Sequence, residues 1–219
     1  MTTFPNSPRL VKGGLALLDP QSGSVQRVIV LQYSPDTLSR TLQAQATGGE
    51  GGERMDALRL KGPPIETLSV TAEIDATDQL AEPDRNGAAV ELGVLAQLAV
   101  LEAIVYPTSR RLEDNRQQAM VGQLEIIPPE SPLTLFIWSK QRVMPVRLTE
   151  FSVTEEAFDS NLNPIRASIR LGMRVLSVDD LGFAHRGGSL FMTYLRARET
   201  VAGRSRAGTL SVLNLERIS

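Results

Sequence analysis

The chain has 219 residues, no cysteine, one histidine and a formal net charge of -2, from 23 Lys and Arg against 25 Asp and Glu. This length is ample for one substantial domain with a buried core. The absence of cysteine excludes disulfides, thiolate metal sites and cysteine nucleophiles. Balanced charge gives no reason to expect nucleic acid as a partner, and one histidine leaves too few ligands for a zinc or iron site, so we expect no cofactor.

No stretch of the sequence predicts a membrane segment. The amino terminus lacks the basic region and continuous apolar core of a secretory signal. No apolar run approaches the ~20 residues that a spanning helix requires. We therefore expect no direct insertion into a membrane.

Most of the predicted elements are strands. Residues 65–75 and 165–175 alternate between apolar and polar side chains, which is typical of strands with one buried face. Residues 25–33 and 133–138 are apolar on both faces and are predicted to be covered on both sides. Along 146–153 the apolar phase shifts, which indicates a β-bulge. The pattern favours a β-barrel or β-sandwich.

A glycine-rich loop separates two of these strands. It contains Gly48, Gly49, Glu50, Gly51, Gly52 and Glu53. No Gly-Lys-Ser or Gly-Lys-Thr follows, and the loop joins strand to strand, so a phosphate-binding loop is disfavoured. We expect either a plain flexible hairpin or a segment that becomes ordered on contact with another subunit.

One long helix is predicted over 88–106, and it is apolar on most sides. Leu101 lies on its main stripe, while Leu92 and Ile104 lie on other sides. A single β layer covers only one stripe of a helix, so the remaining side needs a second partner. We predict that Leu92, Leu101 and Ile104 form a subunit interface; a core helix of a monomer is the alternative.

Arg166, Arg170 and Arg174 are predicted to stand on one face of a strand. The simplest expectation is pairing with acids of the preceding strand, with Glu150, Glu155 and Glu156 as candidates. The alternative is that this basic face lines a lumen or meets another subunit.

Residues 187–203 predict a carboxy-terminal helix that ends at Gly203, and His185 is expected to cap or contact its start. We find no nucleophile, base and acid in a catalytic arrangement, so an enzyme is not expected. The predicted division is a β domain over 1–180 and a helical extension over 181–219.

The ordered series of these elements resembles the tube and tube-initiator family of contractile injection systems, which are phage-tail-like particles. The resemblance rests on LQYSPDTLSRTL, LRLKGPPIETLSVTAEIDATD and AAVELGVLAQLAVLEAIVYP, continues through the strands from LTLFIWS onward, and ends with HRGGSLFMTYLRARETVA. It covers roughly residues 8 to 202. Many similar sequences continue into a LysM-type domain, which this sequence lacks.

The resemblance implies a tail-tube-type β-barrel with one long buried helix. It also implies a hexameric ring in the inner tube or at the tube–baseplate junction, between spike hub and tube. The implied partners are other copies of the chain and spike hub, tube and baseplate proteins, with assembly in the cytoplasm. In such proteins the loop at 48–53 reaches the next ring. A monomeric small-ligand-binding β-barrel is the alternative function.

Overall fold

The structure is a computed structural model that describes residues 12–19, 22–46, 59–120, 130–205 and 208. It contains a mainly antiparallel β architecture with flanking helices. The strands are β1 (Gly14–Leu18), β2 (Val25–Val30), β3 (Leu38–Gln43), β4 (Ile65–Asp75), β5 (Leu133–Ser139), β6 (Arg142–Phe158) and β7 (Pro164–Val175). The helices are α1 (Thr77–Leu80), α2 (Gly87–Leu92), α3 (Leu95–Glu102), α4 (Ser109–Met120), α5 (Val178–Leu181) and α6 (Arg186–Ala202), with a 3-10 turn at Pro83–Arg85.

The described strands form one 7-stranded sheet in the order β2-β1-β5-β6-β7-β4-β3. Each neighbouring pair is antiparallel. Strands β2 and β3 are therefore the two edges. The mainly β prediction is confirmed at this level.

The apolar residues of the alternating segments 65–75 and 165–175 form the buried face of the sheet. Ala72 on β4 lies opposite Ile169 on β7, which lies opposite Val153 on β6. The even-numbered residues of β4 from Glu66 onward are buried. The register between β6 and β7 shifts between Leu148 and Glu150, so the predicted bulge is confirmed.

The two ends of the sheet approach each other although no strand pairing joins them. The Gln32 side chain, just beyond β2, exchanges hydrogen bonds with the backbone of Asp75 at the end of β4. Helix α3 lies beside the remaining gap, where β2, β4 and α3 line a common cavity. The sheet is therefore curled, and its open side is closed by a helix and a side-chain bridge.

Two apolar clusters stabilise this arrangement. The larger cluster lies on the inner face of the sheet and includes Phe136, Met144 and Leu171, with Leu98 and Phe191 from the helices. The smaller cluster lies on the other side of β1 and β5, where Leu181 and Leu190 cover it. The buried members of this smaller cluster are Ala16, Leu18, Leu133 and Leu135. Strand β5 is thus covered on both faces, as predicted for 133–138.

The prediction for 25–33 is wrong in one respect. Val25, Val28 and Val30 are exposed, because β2 is an edge strand with a neighbour on one side only. Only Ile29 within β2 is buried. An apolar run predicts burial on both faces, but the sequence does not show that the strand lies at the margin of the sheet.

Candidate functional site: the outer side of helices α2 and α3

The predicted helix over 88–106 is divided in two at Gly93. Gly93 adopts a φ of 57°, in the left-handed region, and the N–H of Val94 donates to the carbonyl oxygen of Pro164 at 2.9 Å. A Cβ at position 93 would lie 2.2 Å from that oxygen. The close approach of β7 therefore requires glycine here and ends α2. The prediction of one continuous helix is corrected to two short helices.

A second contact fixes α2 against the turn between β6 and β7. The side-chain N–H of Asn163 donates to the carbonyl oxygen of Glu91 at 3.0 Å and to Asp159 Oδ2 at 2.9 Å. The hydrogen bonds from Asn163 hold the pKa of Asp159 below its usual range. Helix α2 is thus tied to the β6–β7 turn at Glu91, and the segment between α2 and α3 is tied to the start of β7 at Val94.

Helix α3 has a buried side and an exposed side, and both are apolar. Val94, Leu98 and Leu101 face the core and are buried. On the opposite side, Leu95 and Ala99 are exposed, and their spacing of four residues places them on one stripe. Ala103 and Tyr106, in the turn that follows α3, are exposed as well.

We call this stripe, together with the exposed apolar residues of α2 and of the turn after α3, the helix surface. Its large members are Val90, Leu92, Leu95, Val105 and Tyr106, and Tyr106 is the most exposed at 70%. Large apolar side chains exposed close together mark interaction sites when they form a contiguous patch. The helix surface is therefore the strongest candidate for contact with another protein.

The structure separates the three residues predicted to form the interface. Leu92 is 39% exposed and belongs to the helix surface, whereas Leu101 is 2% exposed and packs in the core. Ile104 is half-buried against the same core. Leu92 is therefore accessible to a partner, whereas Leu101 and Ile104 are among the residues that hold this segment on the sheet.

Each of the three arginines of the predicted basic strand face pairs with a different acidic residue. Arg166 Nε lies 2.9 Å from Asp75 Oδ2 on β4, and Arg170 Nε lies 3.5 Å from Glu150 Oε1 on β6. Arg174 Nη2 lies 2.7 Å from Asp180 Oδ1 on α5. Only Glu150 was among the predicted partners, because the sequence does not show that β4 and α5 flank β7.

These arginines belong to a larger face that we call the polar sheet face. Over residues 67–75 of β4, 166–174 of β7 and 147–156 of β6, its positions hold only polar residues, charged residues or glycine, as the strand register shows. Its members are Thr67, Ser69, Thr71, Glu73, Asp75, Arg166, Ser168, Arg170, Gly172, Arg174, Arg147, Glu150, Ser152, Thr154 and Glu156. No apolar side chain interrupts this stretch of β4, β7 and β6, so it is suited to contact with water, unlike the same side of β1 and β5, which the smaller apolar cluster occupies.

A buried carboxylate fastens the carboxy-terminal helix to the sheet. Glu66 on β4 is 3% exposed, and its Oε1 lies 2.7 Å from Arg40 Nη2 and accepts from the Tyr194 hydroxyl at 3.1 Å. Arg198 Nη1 lies 3.5 Å from Glu66 Oε2. Burial, and then the nearby Glu66 carboxylate, raise the pKa of Tyr194. The sequence analysis missed this group.

Other predicted features have simpler outcomes. His185 Nδ1 accepts from the N–H of Gly187 at 3.0 Å and caps α6, as expected. The loop residues Gly48, Gly49, Glu50, Gly51, Gly52 and Glu53 lie outside the described residues.

Within the described part of the chain, no group of three or more His, Cys, Asp or Glu could hold a metal ion. No helix there is long and apolar enough to cross a membrane.

No protein-family model and no curated protein matches the chain. Among solved structures, one alignment is to a chain in the tail of an empty gene transfer agent particle with C6 symmetry. It has 15% identity and a TM-score of 0.28, over 75% of this chain and 90% of that chain. A chain in the virion of a native gene transfer agent aligns at 15% identity and a TM-score of 0.24, over 74% and 90%. Scores this low do not establish a shared fold.

Proposed function

We propose that the chain is a structural subunit of a phage-tail-like contractile particle and is not an enzyme. Its copies would associate into a hexameric ring of the inner tube or of the tube–baseplate junction. The sequence resemblance over residues 8 to 202 supports the family, and sixfold symmetry comes from that resemblance. The helix surface is the observation that carries the proposal of assembly.

The helix surface supports assembly because it is apolar and nothing in the described chain covers it. Leu92 and Leu95 are exposed on helices whose other side is already buried in the core, and Tyr106 is exposed shortly after α3. Covering large apolar side chains at an interface contributes roughly 25 cal/mol per Å² before the costs of association. A second copy is the partner that a ring provides.

A ring requires this contact to be heterologous, so the helix surface of one copy must meet a different surface of the next. The exposed valines of β2, Val25, Val28 and Val30, supply further apolar area at a free strand edge. An exposed apolar edge strand is otherwise a hazard for uncontrolled association. Enclosure of β2 within a ring would remove that hazard.

The polar sheet face supports the proposal from the other side of the molecule. A ring around a passage needs one wall that faces water or cargo without adhering to it. The pairs Arg166 with Asp75 and Arg170 with Glu150 leave this face with charge of both signs close together. We propose that it lines the passage.

The remaining parts of the proposal follow from the family resemblance. Spike hub, tube and baseplate proteins of the same particle are the proposed partners, and the cytoplasm is the proposed place of assembly. The loop that contains Gly48 to Glu53 is proposed to contact the next ring.

Negative-stain electron microscopy of the full chain, alone and mixed with the spike hub protein, tests this proposal. Sixfold rings with an open centre in either sample are expected. Compact monomers in both samples would overturn it.

A matched pair of variants links the rings to the helix surface. Leu95→Glu places a charge on that surface and is expected to abolish rings while the subunit stays folded. Leu112→Glu places the same charge on α4, at a leucine that is 55% exposed and outside the helix surface. Rings that survive Leu95→Glu at normal yield would remove the helix surface from the interface.

A further inference from the structure

The turn between β6 and β7 carries the most exposed large apolar side chain of the described residues. Leu162 is 78% exposed, and Phe158 at the end of β6 is exposed as well. Neither residue belongs to the two apolar clusters of the subunit. Packing within the single chain therefore does not explain why a leucine stands at position 162.

Leu162 also has an unfavourable backbone conformation. Its φ is 64°, in the left-handed region, where the Cβ of most residues approaches the following carbonyl oxygen and glycine or asparagine is preferred. The N–H of Leu162 donates to the carbonyl oxygen of Asp159 at 3.1 Å, and the N–H of Asp159 donates to the carbonyl oxygen of Asn163 at 3.0 Å. Tight hairpin turns ordinarily have glycine at their left-handed position. The turn itself therefore does not require leucine and is destabilised by it.

The side chain of Asp159 holds the turn in this conformation. Its Oδ1 accepts from the N–H of Asn161 at 2.7 Å and from the N–H of Asn163 at 2.8 Å, and its Oδ2 accepts from Asn163 Nδ2 at 2.9 Å. This carboxylate is the only charged group in residues 158–164, and it is engaged within the turn. The turn thus presents an apolar side chain without a free charge, which suits an apolar protein surface and not a nucleic acid.

The turn adjoins the helix surface. Asn163 Nδ2 donates to the carbonyl oxygen of Glu91, and the carbonyl oxygen of the next residue accepts from the N–H of Val94. Glu91 and Val94 lie on either side of Leu92 in the chain. The residues that follow Leu162 are therefore fixed beside the helix surface, and a partner that covers Leu92 can reach Leu162 in the same contact.

We propose that Leu162 anchors the contact between copies of this chain, with its side chain covered by an apolar surface of a second copy. The side chain stabilises that contact, whereas the backbone conformation of the same residue destabilises the single subunit. Backbone strain at an exposed position persists where a functional contact makes use of it. The inference rests on the proposed ring assembly and names a residue on which that assembly depends.

The test measures stability and assembly separately in the full chain. Leu162→Gly relieves the strain, so the midpoint of thermal unfolding of dissociated subunits should rise by roughly 2–4 °C. It also removes the anchor, so the protein concentration at half-assembly, measured by sedimentation velocity, should rise about tenfold or more. The spike hub protein is present in every sample if wild-type rings require it. A residue that only shapes the turn would not change the two quantities in this way.

Two further variants separate the strain from the apolar side chain. Leu162→Gln keeps the left-handed strain and the side-chain length, so it should weaken assembly as much as Leu162→Gly while the unfolding midpoint stays unchanged. Ala157 is also exposed and has a φ of 55°. Ala157→Gly is therefore the matched control, and it should raise the unfolding midpoint without changing the concentration at half-assembly.

The outcomes distinguish this inference from the proposed function. Rings of Leu162→Gly and Leu162→Gln that form at the wild-type concentration would overturn the inference alone. A lower unfolding midpoint in Leu162→Gly would overturn the assignment of strain to this residue. A wild-type chain that stays monomeric, alone and with the spike hub protein, would overturn ring assembly and the inference together.

Discussion

The side-chain amide of Gln32 binds the backbone of Asp75 through both of its polar ends. Nε2 donates to the Asp75 carbonyl oxygen at 2.7 Å, and Oε1 accepts from the Asp75 N–H at 3.0 Å. The amide therefore imitates one rung of a β ladder between the β2 end and β4, which the sheet order separates by four strands. This contact brings the two ends of the curled sheet together.

Replacement of Gln32 by Leu should destabilise the fold, because the backbone N–H and C=O of Asp75 would lose their partners. We expect the free energy of unfolding to fall by about 2 kcal/mol, from two hydrogen bonds and partial burial. Urea denaturation followed by circular dichroism measures this change. Gln43→Leu, at an exposed glutamine on β3, is the control and should change stability by less than about 0.5 kcal/mol.

Aspartate at Leu101 and at Leu92 should have different consequences. Leu101→Asp puts an unpaired charge in the core and is expected to cost about 4 kcal/mol or more, which would unfold most of the protein. Leu92→Asp changes an exposed position and should cost about 1 kcal/mol or less. Urea titration measures stability, and size-exclusion chromatography measures assembly.

The two variants distinguish a residue needed for folding of the subunit from a residue needed for ring assembly. Loss of rings in a folded Leu92→Asp subunit would place Leu92 in the interface. A fully folded Leu101→Asp subunit would contradict the burial of Leu101 in the core.

Glu66 should be required to hold α6 on the sheet. Glu66→Gln removes the charge that lies between Arg40 and Arg198, so both cations lose their partner in a buried environment. We expect a loss of about 2 kcal/mol, discounted because both arginines retain some contact with solvent. Hydrogen exchange measured by mass spectrometry should show faster exchange in α6. Unchanged exchange there would mean that apolar contacts alone hold the helix.

The raised pKa of Tyr194 predicts a loss of stability at alkaline pH. The folded state keeps the hydroxyl proton to a higher pH than the unfolded state, which titrates near 10. The stabilisation is therefore complete below pH 10 and is lost as the pH rises through the folded-state pKa. Urea titrations between pH 9 and about pH 11 should show this decline. In Tyr194→Phe this part of the decline should be absent.

The strands could be predicted wherever one face of the sheet is polar. Alternation along 65–75 and 165–175 follows directly from burial of every second side chain, and the phase change after Leu148 marked the bulge. The edge position of β2 could not be predicted, because Val28 and Val30 have the same apolar character as buried residues. Edge and centre differ in tertiary neighbours that the sequence does not specify.

The candidate site could be predicted only in part. The surplus of apolar residues on the 88–106 segment correctly indicated that α3 has an apolar side beyond its core stripe. Glu66 carried a signal that was overlooked, since it occupies the apolar phase of its strand, two residues before Leu68. A charged residue at an apolar position indicates a buried partner. The cavity that β2, β4 and α3 line depends on the distance between β2 and α3, which no local pattern gives.

Gly93 provides the sharpest test of the helix division, because a second glycine nearby serves as its control. Gly93→Ala would combine a positive φ with a Cβ placed 2.2 Å from the carbonyl oxygen of Pro164. We expect a loss of about 2 kcal/mol or more, since the chain must shift to relieve both. At Gly87 an added Cβ meets nothing within 4 Å, so Gly87→Ala at the start of α2 should be neutral or stabilising by about 0.5 kcal/mol. Equal effects of the two substitutions on thermal unfolding would contradict the break and favour a continuous helix.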